Sequence, residues 1–271
     1  MCAVLEPPAS LKPCFATPHA AGIRCWRIDL EALAAQCPGH ACASWPASAW
    51  LHAEELSRLQ SFPMRKRRIE WLGGRLAGKQ ALRVLQAHRR SPGTEAAREW
   101  HIRNGEDGRP VFAGKAVHLS ISHGRRIAMA AVGEAPVGID VEGFDALRAR
   151  SLDTLLWPSE VRVMRRALGG LPMEARAFLW CLKEALFKAF GQNGFARFAC
   201  ALRLRDWHGP DRPVWQATAP WPALDDAGQD TSALARQANG WRALCHQDAG
   251  AAHVLVTPAL PGLAPPACPP R

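Results

Sequence analysis

Phe62-Pro63-Met64, followed by Arg67, Trp71 and Lys79, returns 109 residues later as Leu171-Pro172-Met173, followed by Arg176, Trp180 and Lys188. A second pair of segments, Ile28-Asp29-Leu30-Glu31 and Ile139-Asp140-Val141-Glu142, repeats at an offset of 111. One short match is chance. Two independent matches within two residues of the same offset predict an internal duplication. The expected fold class is therefore α+β, a pseudo-dimer of two similar halves meeting at a pseudo-twofold interface. The expected divisions are a loose N-terminal segment over 1–20, an N-terminal half over 21–134, a C-terminal half over 135–257 and a Pro-rich tail over 258–271.

Working outward, Ile69, Leu72, Leu76, Leu82 and Leu85 recur at helical steps and predict a helix over Met64–Ala87. Phe178, Leu182, Leu186 and Phe190 predict another over Glu174–Phe190, closed by Gly191. Strand-like runs cover Val117–Ser122, Ile127–Val132, Val137–Val141, Phe198–Leu204 and Ala252–Val256. The chain of 271 residues carries 34 Lys and Arg against 24 Asp and Glu, a net charge of +10, so its surface attracts anions. Phosphates, nucleic acid, anionic lipid and acidic proteins all satisfy that charge. No apolar run nears the roughly 18 residues a membrane span requires. Nine cysteines without a CxxC pair, and no apolar leader in the first 20 residues, predict a reducing, cytoplasmic setting.

Certain residues could carry chemistry. On a strand, Asp140 and Glu142 share a face, and two adjacent carboxylates call for a cation; an oxygen-only set favours Mg2+. By itself such a pair is usually two solvated acids. Glu184 and Lys188 stand one helical turn apart, which alone is a common surface pair. In the repeat at offset 109, Arg75 occupies the position of Glu184, so only one half can assemble three acids. Ser122-His123 closes a strand and can hydrogen-bond a phosphate, and Asp107-Gly108-Arg109-Pro110 reads as a turn presenting an Arg. Arg65–Arg90 is densely basic. A P-loop over Gly73–Gln80 is rejected, because Gln80 replaces the Ser or Thr and the run lies inside a helical period. No GxSxG accompanies Ser122, and Cys37, His40 and Cys42 lack a fourth spaced ligand, so neither a hydrolase triad nor a zinc site is expected.

Taken together, Gly138-Ile139-Asp140-Val141-Glu142 and Trp180-Cys181-Leu182-Lys183-Glu184-Ala185-Leu186-Phe187-Lys188 resemble the paired signature of the 4'-phosphopantetheinyl transferases. The spacing is similar to that of the Sfp-type members. Lys66–Arg75, Gly108-Arg109-Pro110 and Ser120–His123 resemble further motifs, the first most closely in the bacterial siderophore-associated branch. The resemblance implies an enzyme that transfers 4'-phosphopantetheine from coenzyme A to a serine of an acyl, peptidyl or aryl carrier protein, releasing adenosine 3',5'-bisphosphate. It implies Asp140, Glu142 and Glu184 as ligands of Mg2+. Lys183 and Lys188 would lie at the coenzyme phosphates with Ser122 and His123, and Arg67, Arg75 and Arg109 at the nucleotide end. Gly124 stands where many members place Ser. Glu184 is the expected base, directly or through a water, and Lys188 the group that stabilises the leaving phosphate. A monomer without nucleic-acid or membrane partners is expected. The alternative is a basic nucleic-acid-binding protein without catalysis, which has no use for three acids beside its cations. A non-catalytic binder of coenzyme A or of a carrier is disfavoured by the presence of all three acids and both lysines.

Overall fold

The computed structural model describes residues 11–15, 22–37, 47–88, 95–148, 154–192, 194–218, 230–248 and 250–259. The expected loose ends at 1–10 and 260–271, and the candidate ligands His40 and Cys42, lie outside the described residues. The chain divides into two compact units, Met1–Ala135 and Pro136–Arg271.

In the first unit, strands β1 (Leu11–Pro13), β2 (Ile23–Asp29), β5 (His118–His123) and β6 (Ile127–Gly133) form an antiparallel sheet in the order β1-β2-β6-β5. Residues 11–13, expected to be loose, are instead its edge, paired from Leu11 with Ile28 to Pro13 with Trp26. Helices α1 (Leu30–Gln36), α2 (Ala47–Trp50) and α3 (Ala53–Ser61) lead to the long helix α4 (Arg65–Ala87). A hairpin of β3 (Ile102–Asn104) and β4 (Pro110–Phe112) precedes β5. Leu72 and Leu76 of α4 pack with Ile28, Ala128 and Ala130 of the sheet. The glycines inside α4 weaken the helix intrinsically, but a Cβ at Gly73 would lie 2.6 Å from Leu30 Cδ2. They let helix and sheet approach, and the run that mimics a P-loop is helix throughout.

In the second unit, β7 (Gly138–Gly143), β10 (Trp241–Asp248) and β11 (Ala251–Pro258) pair antiparallel in the order β10-β11-β7. Helix α5 (Phe144–Arg148) follows β7, and α6 (Pro158–Leu168) leads to the long helix α7 (Pro172–Phe190), which Gly191 ends in a left-handed cap at φ 64°. Helix α8 (Phe195–Ala201), the hairpin β8 (Leu202–His208) and β9 (Arg212–Ala217), and α9 (Thr231–Asn239) complete it. The strand expected over Phe198–Leu204 is therefore helix as far as Ala201. A short apolar run fits either element, and here Phe195 and Phe198, one turn apart, both pack edge-on against Phe187.

The two units contain the same bonding scheme. In the first, Lys79 of α4 is fully buried and its Nζ donates to Glu55 and to the carbonyls of Trp50 (2.7 Å) and Ala97 (3.1 Å). In the second, Lys183 of α7 is fully buried and donates to Glu160 (3.1 Å) and to the carbonyls of Leu155 (3.1 Å) and Ala199 (2.8 Å). Each Glu then takes one backbone N–H at its helix start, from His52 or Trp157, both at 2.9 Å. Each takes a second from the following hairpin, Ile102 at 3.1 Å or Leu204 at 2.8 Å. Buried charges persist only when paired and bonded in this way.

This scheme changes the correspondence read from the letters. Lys79 stands where Lys183 stands, not Lys188, so Gln80 matches Glu184 and Val84 matches Lys188. The strands shift as well. Leu30 N–H donates to the Arg126 carbonyl at 2.8 Å, as Phe144 N–H donates to the Gly250 carbonyl at 2.9 Å. Counting back, Trp26 and Ile28 take the places of Asp140 and Glu142. Asp29 instead caps α1 by accepting from Glu31 and Ala32 N–H at 2.8 and 3.0 Å, and Glu31 pairs with Arg126 at 3.0 Å. The offset of 111 is a coincidence between a strand that carries two acids and a helix cap.

Candidate metal and phosphate site

The site in the second unit begins with Gly138. A Cβ there would lie 1.9 Å from the carbonyl oxygen of Ala185, so only glycine lets β7 lie this close to α7. Residues two apart on β7 share that face, and Asp140 accordingly meets the helix. Its Oδ1 accepts from Lys188 Nζ at 2.6 Å. Lys188 Nζ also donates to the Ile139 carbonyl at 3.4 Å and lies 3.6 Å from Glu184 Oε2. Asp140 is almost wholly buried, while the Lys188 and Glu184 side chains remain about a quarter exposed, at 26% and 24%.

The electrostatics follow from that crowding. Burial pushes the Glu184 carboxyl up to about 7, with Asp140 and Glu142 adding repulsion and Lys188 opposing them. For Lys188, burial alone would lower the pKa, but Asp140 and Glu184 outweigh it and hold the ammonium above its ordinary value. The thiol of Cys181 is raised by burial first and by its hydrogen bond and charge contact with Asp140 second. Cys181 and Gly138 therefore shape the site, although the sequence reading gave neither a role. Period-2 geometry of the strand could have marked Gly138 as sharing the acids' face.

Asp140, Glu142 and Glu184 present only oxygen donors, and Asp140 and Glu142 both raise the Glu184 carboxyl while Lys188 opposes them. That donor chemistry fits a hard divalent cation. Among the described residues, the one group of three whose ligand atoms all lie within 4.8 Å is His52, Glu54 and His101, so the acids do not stand at that spacing.

Lys183, expected at the coenzyme phosphates, is a correction. Its ammonium is fully buried and spends its donors on Glu160, Leu155 and Ala199. It fixes the rotation of α7 and has no donor to offer a phosphate.

The remaining expected residues belong to the first unit. Arg67 Nη1 lies 3.2 Å from His123 Nε2, and Ser122, the residue before His123, is buried. Arg75 is stacked on Trp71 at 4.4 Å and has its Nε 3.8 Å from Glu55 Oε1. Burial lowers its pKa to about 10, Glu55 opposes and Arg67 reinforces the shift. Arg109 is clasped by Asp107, with Nε at 2.7 Å from Oδ2, inside an exposed turn. Arg67 and Arg75 thus bring positive charge beside the His123 ring, and Arg109 stands in a separate turn.

Residues 136–235 match the family described as the 4'-phosphopantetheinyl transferase superfamily. That match lies within the second unit and is to the class to which the motifs pointed. A solved structure of a holo-(acyl-carrier-protein) synthase from Bacillus anthracis str. Ames, in complex with CoA (3',5'-ADP), is 23% identical. It covers 41% of this chain and 93% of its own, with a TM-score of 0.34. No curated protein matches. No helix among the described residues is long and apolar enough to cross a membrane.

Proposed function

We propose that the protein transfers 4'-phosphopantetheine from coenzyme A to a serine hydroxyl of an apo carrier protein, releasing adenosine 3',5'-bisphosphate. The observation that carries this reading is the Asp140–Lys188–Glu184 cluster within the family-matched unit. Asp140, Glu142 and Glu184 would hold Mg2+, which when bound supplies charge neutralisation at the pyrophosphate. Glu184, part-exposed beside Lys188 and Asp140, is the group proposed to take the serine proton, directly or through a water. Lys188 stays protonated, and its Nζ can bond the phosphate oxygen that gains charge as adenosine bisphosphate leaves. Asp140 orients Lys188 through the 2.6 Å bond.

Arg67 and His123, joined at 3.2 Å, are proposed to bind coenzyme phosphates, with Ser122, Arg75 and Arg109 in supporting parts that rest on the motif resemblance. The net charge of +10 suits both a polyphosphorylated coenzyme and an acidic carrier. A monomeric, cytoplasmic protein is part of the same proposal. The test is incubation with coenzyme A, Mg2+ and several apo carriers, followed by intact mass. A gain of one phosphopantetheine that disappears on chelation supports the proposal. No gain on any carrier overturns it.

A further inference from the structure

Far from the acids in the chain, two cysteines of the first unit stand opposite each other on neighbouring strands. The β1–β2 register ends with Pro13 opposite Trp26, and the next residues continue it, with Cys14 N–H donating to the Cys25 carbonyl at 3.1 Å. Their sulfurs are 3.3 Å apart and both side chains are buried. Residues facing each other across an antiparallel pair have Cα atoms roughly 4.5 to 5.5 Å apart, inside the range a disulfide spans. Bringing the sulfurs to bonding distance therefore asks for side-chain rotation and leaves the strands where they are. Neither cysteine belongs to a three-ligand cluster among the described residues.

We propose that Cys14 and Cys25 are a redox-active pair that a small-molecule disulfide oxidises to a cross-strand disulfide. One cysteine thiolate attacks a sulfur of the reagent and expels one reagent thiol, giving a mixed disulfide. The other cysteine loses its proton, attacks the protein sulfur of that mixed disulfide and expels the second thiol. Two protein thiols are oxidised by two electrons and the reagent disulfide is reduced to two thiols.

Access comes from the position of the pair. Strand β1 has three residues, bonds only β2 and lies at the sheet edge. Phe15, directly after Cys14, has φ 57°, a conformation that is unfavourable for an aromatic residue. Such an edge is the part of a sheet that opens locally. Burial, with Cys14 contributing, holds the Cys25 thiol well above its ordinary value, so the reaction proceeds through the opened strand and quickens with pH.

The experiment treats the full-length protein with oxidised glutathione, alkylates remaining thiols with iodoacetamide, digests with trypsin and maps disulfides by fragment-ion mass. The expected result is a Cys14–Cys25 link, its peptide pair lighter by about 2 Da than the two thiol peptides together, and its reversal by dithiothreitol. In Cys25→Ser the reaction stops at a glutathione adduct on Cys14. Alkylated Cys14 and Cys25 in the oxidised wild-type protein would overturn the proposal, as would stable glutathione adducts on both or a link from Cys25 to Cys2. Because the decisive readout is on the wild-type chain, it does not depend on how a variant folds.

Discussion

Lys79 and Lys183 occupy the same place in the two halves of the chain, yet the residue after one is Gln80 and the residue after the other is Glu184. Around them the contrast widens. Trp26, Ile28 and Val84 stand where the second unit has Asp140, Glu142 and Lys188, and Ile28 is completely buried. The first unit fills with apolar and neutral side chains the space that the second leaves to charge. The lesson is that the buried lysine and glutamate belong to the architecture common to both units, whereas the acids are an addition to one.

The comparison breaks first if the acids are not the difference that matters. Glu184→Gln and Asp140→Asn should each lower carrier modification by at least about a hundredfold, measured as initial rate by intact mass. Gln80→Leu, at the matching place in the first unit, should leave the rate within about twofold, since no reacting group is removed. A large loss from Gln80→Leu would dissolve the contrast.

The shared lysines should behave alike. Lys79→Met and Lys183→Met each strand a buried glutamate and should cost about 3 to 5 kcal/mol, read as matching shifts of the urea midpoint. Folded Lys183→Met should keep its KM for coenzyme A. A raised KM with normal stability would return Lys183 to the phosphates.

The next effect belongs to the second unit alone. Glu184 binds its proton more tightly folded than unfolded, about 7 against 4.5. With its folded pKa raised, the protein without divalent cation should lose stability as pH climbs from about 4.5 to about 7, by on the order of 3 kcal/mol. Added Mg2+ should flatten that limb, since the cation replaces the proton. Denaturation midpoints at pH 4.5, 6 and 7.5, with and without Mg2+, measure it; equal slopes would argue that no cation binds the acids.

The smallest effect concerns Arg67 and His123. Arg67→Ala and His123→Ala should raise KM for coenzyme A by roughly tenfold, the size of a lost charge-assisted bond, with kcat little changed. Steady-state kinetics separate the two constants, and a fall in kcat alone would move these residues from binding to chemistry.

Much of this was legible in the sequence, and the failures have physical causes. Helical periods found α4 and α7 within two residues, because three- and four-residue apolar spacing is imposed by the sheet each one covers. Strands β5, β6, β7 and β11 were found from their apolar runs and turn residues. Asp140 and Glu142 stood out in sequence through their shared strand face, and Asp140 meets Lys188 of α7 at 2.6 Å. Lys183 was misread since an exposed and a buried lysine look the same in sequence, and its partner Glu160 lies 23 residues away. The misaligned repeat shares that cause. Letter matches such as Trp71 with Trp180 weigh side chains equally, although the bonds that define position run through a Lys, a Glu and the main chain.

The anchors of each buried lysine have an evolutionary consequence. Of the three acceptors around Lys79 or Lys183, two are peptide carbonyls, at positions 50 and 97 or 155 and 199. Every amino acid brings a carbonyl, so those four positions are free to change identity without loosening the anchor. Mutation can rewrite the letters around each lysine until two halves no longer resemble one another in sequence, while the helix that carries Glu184 keeps its rotation.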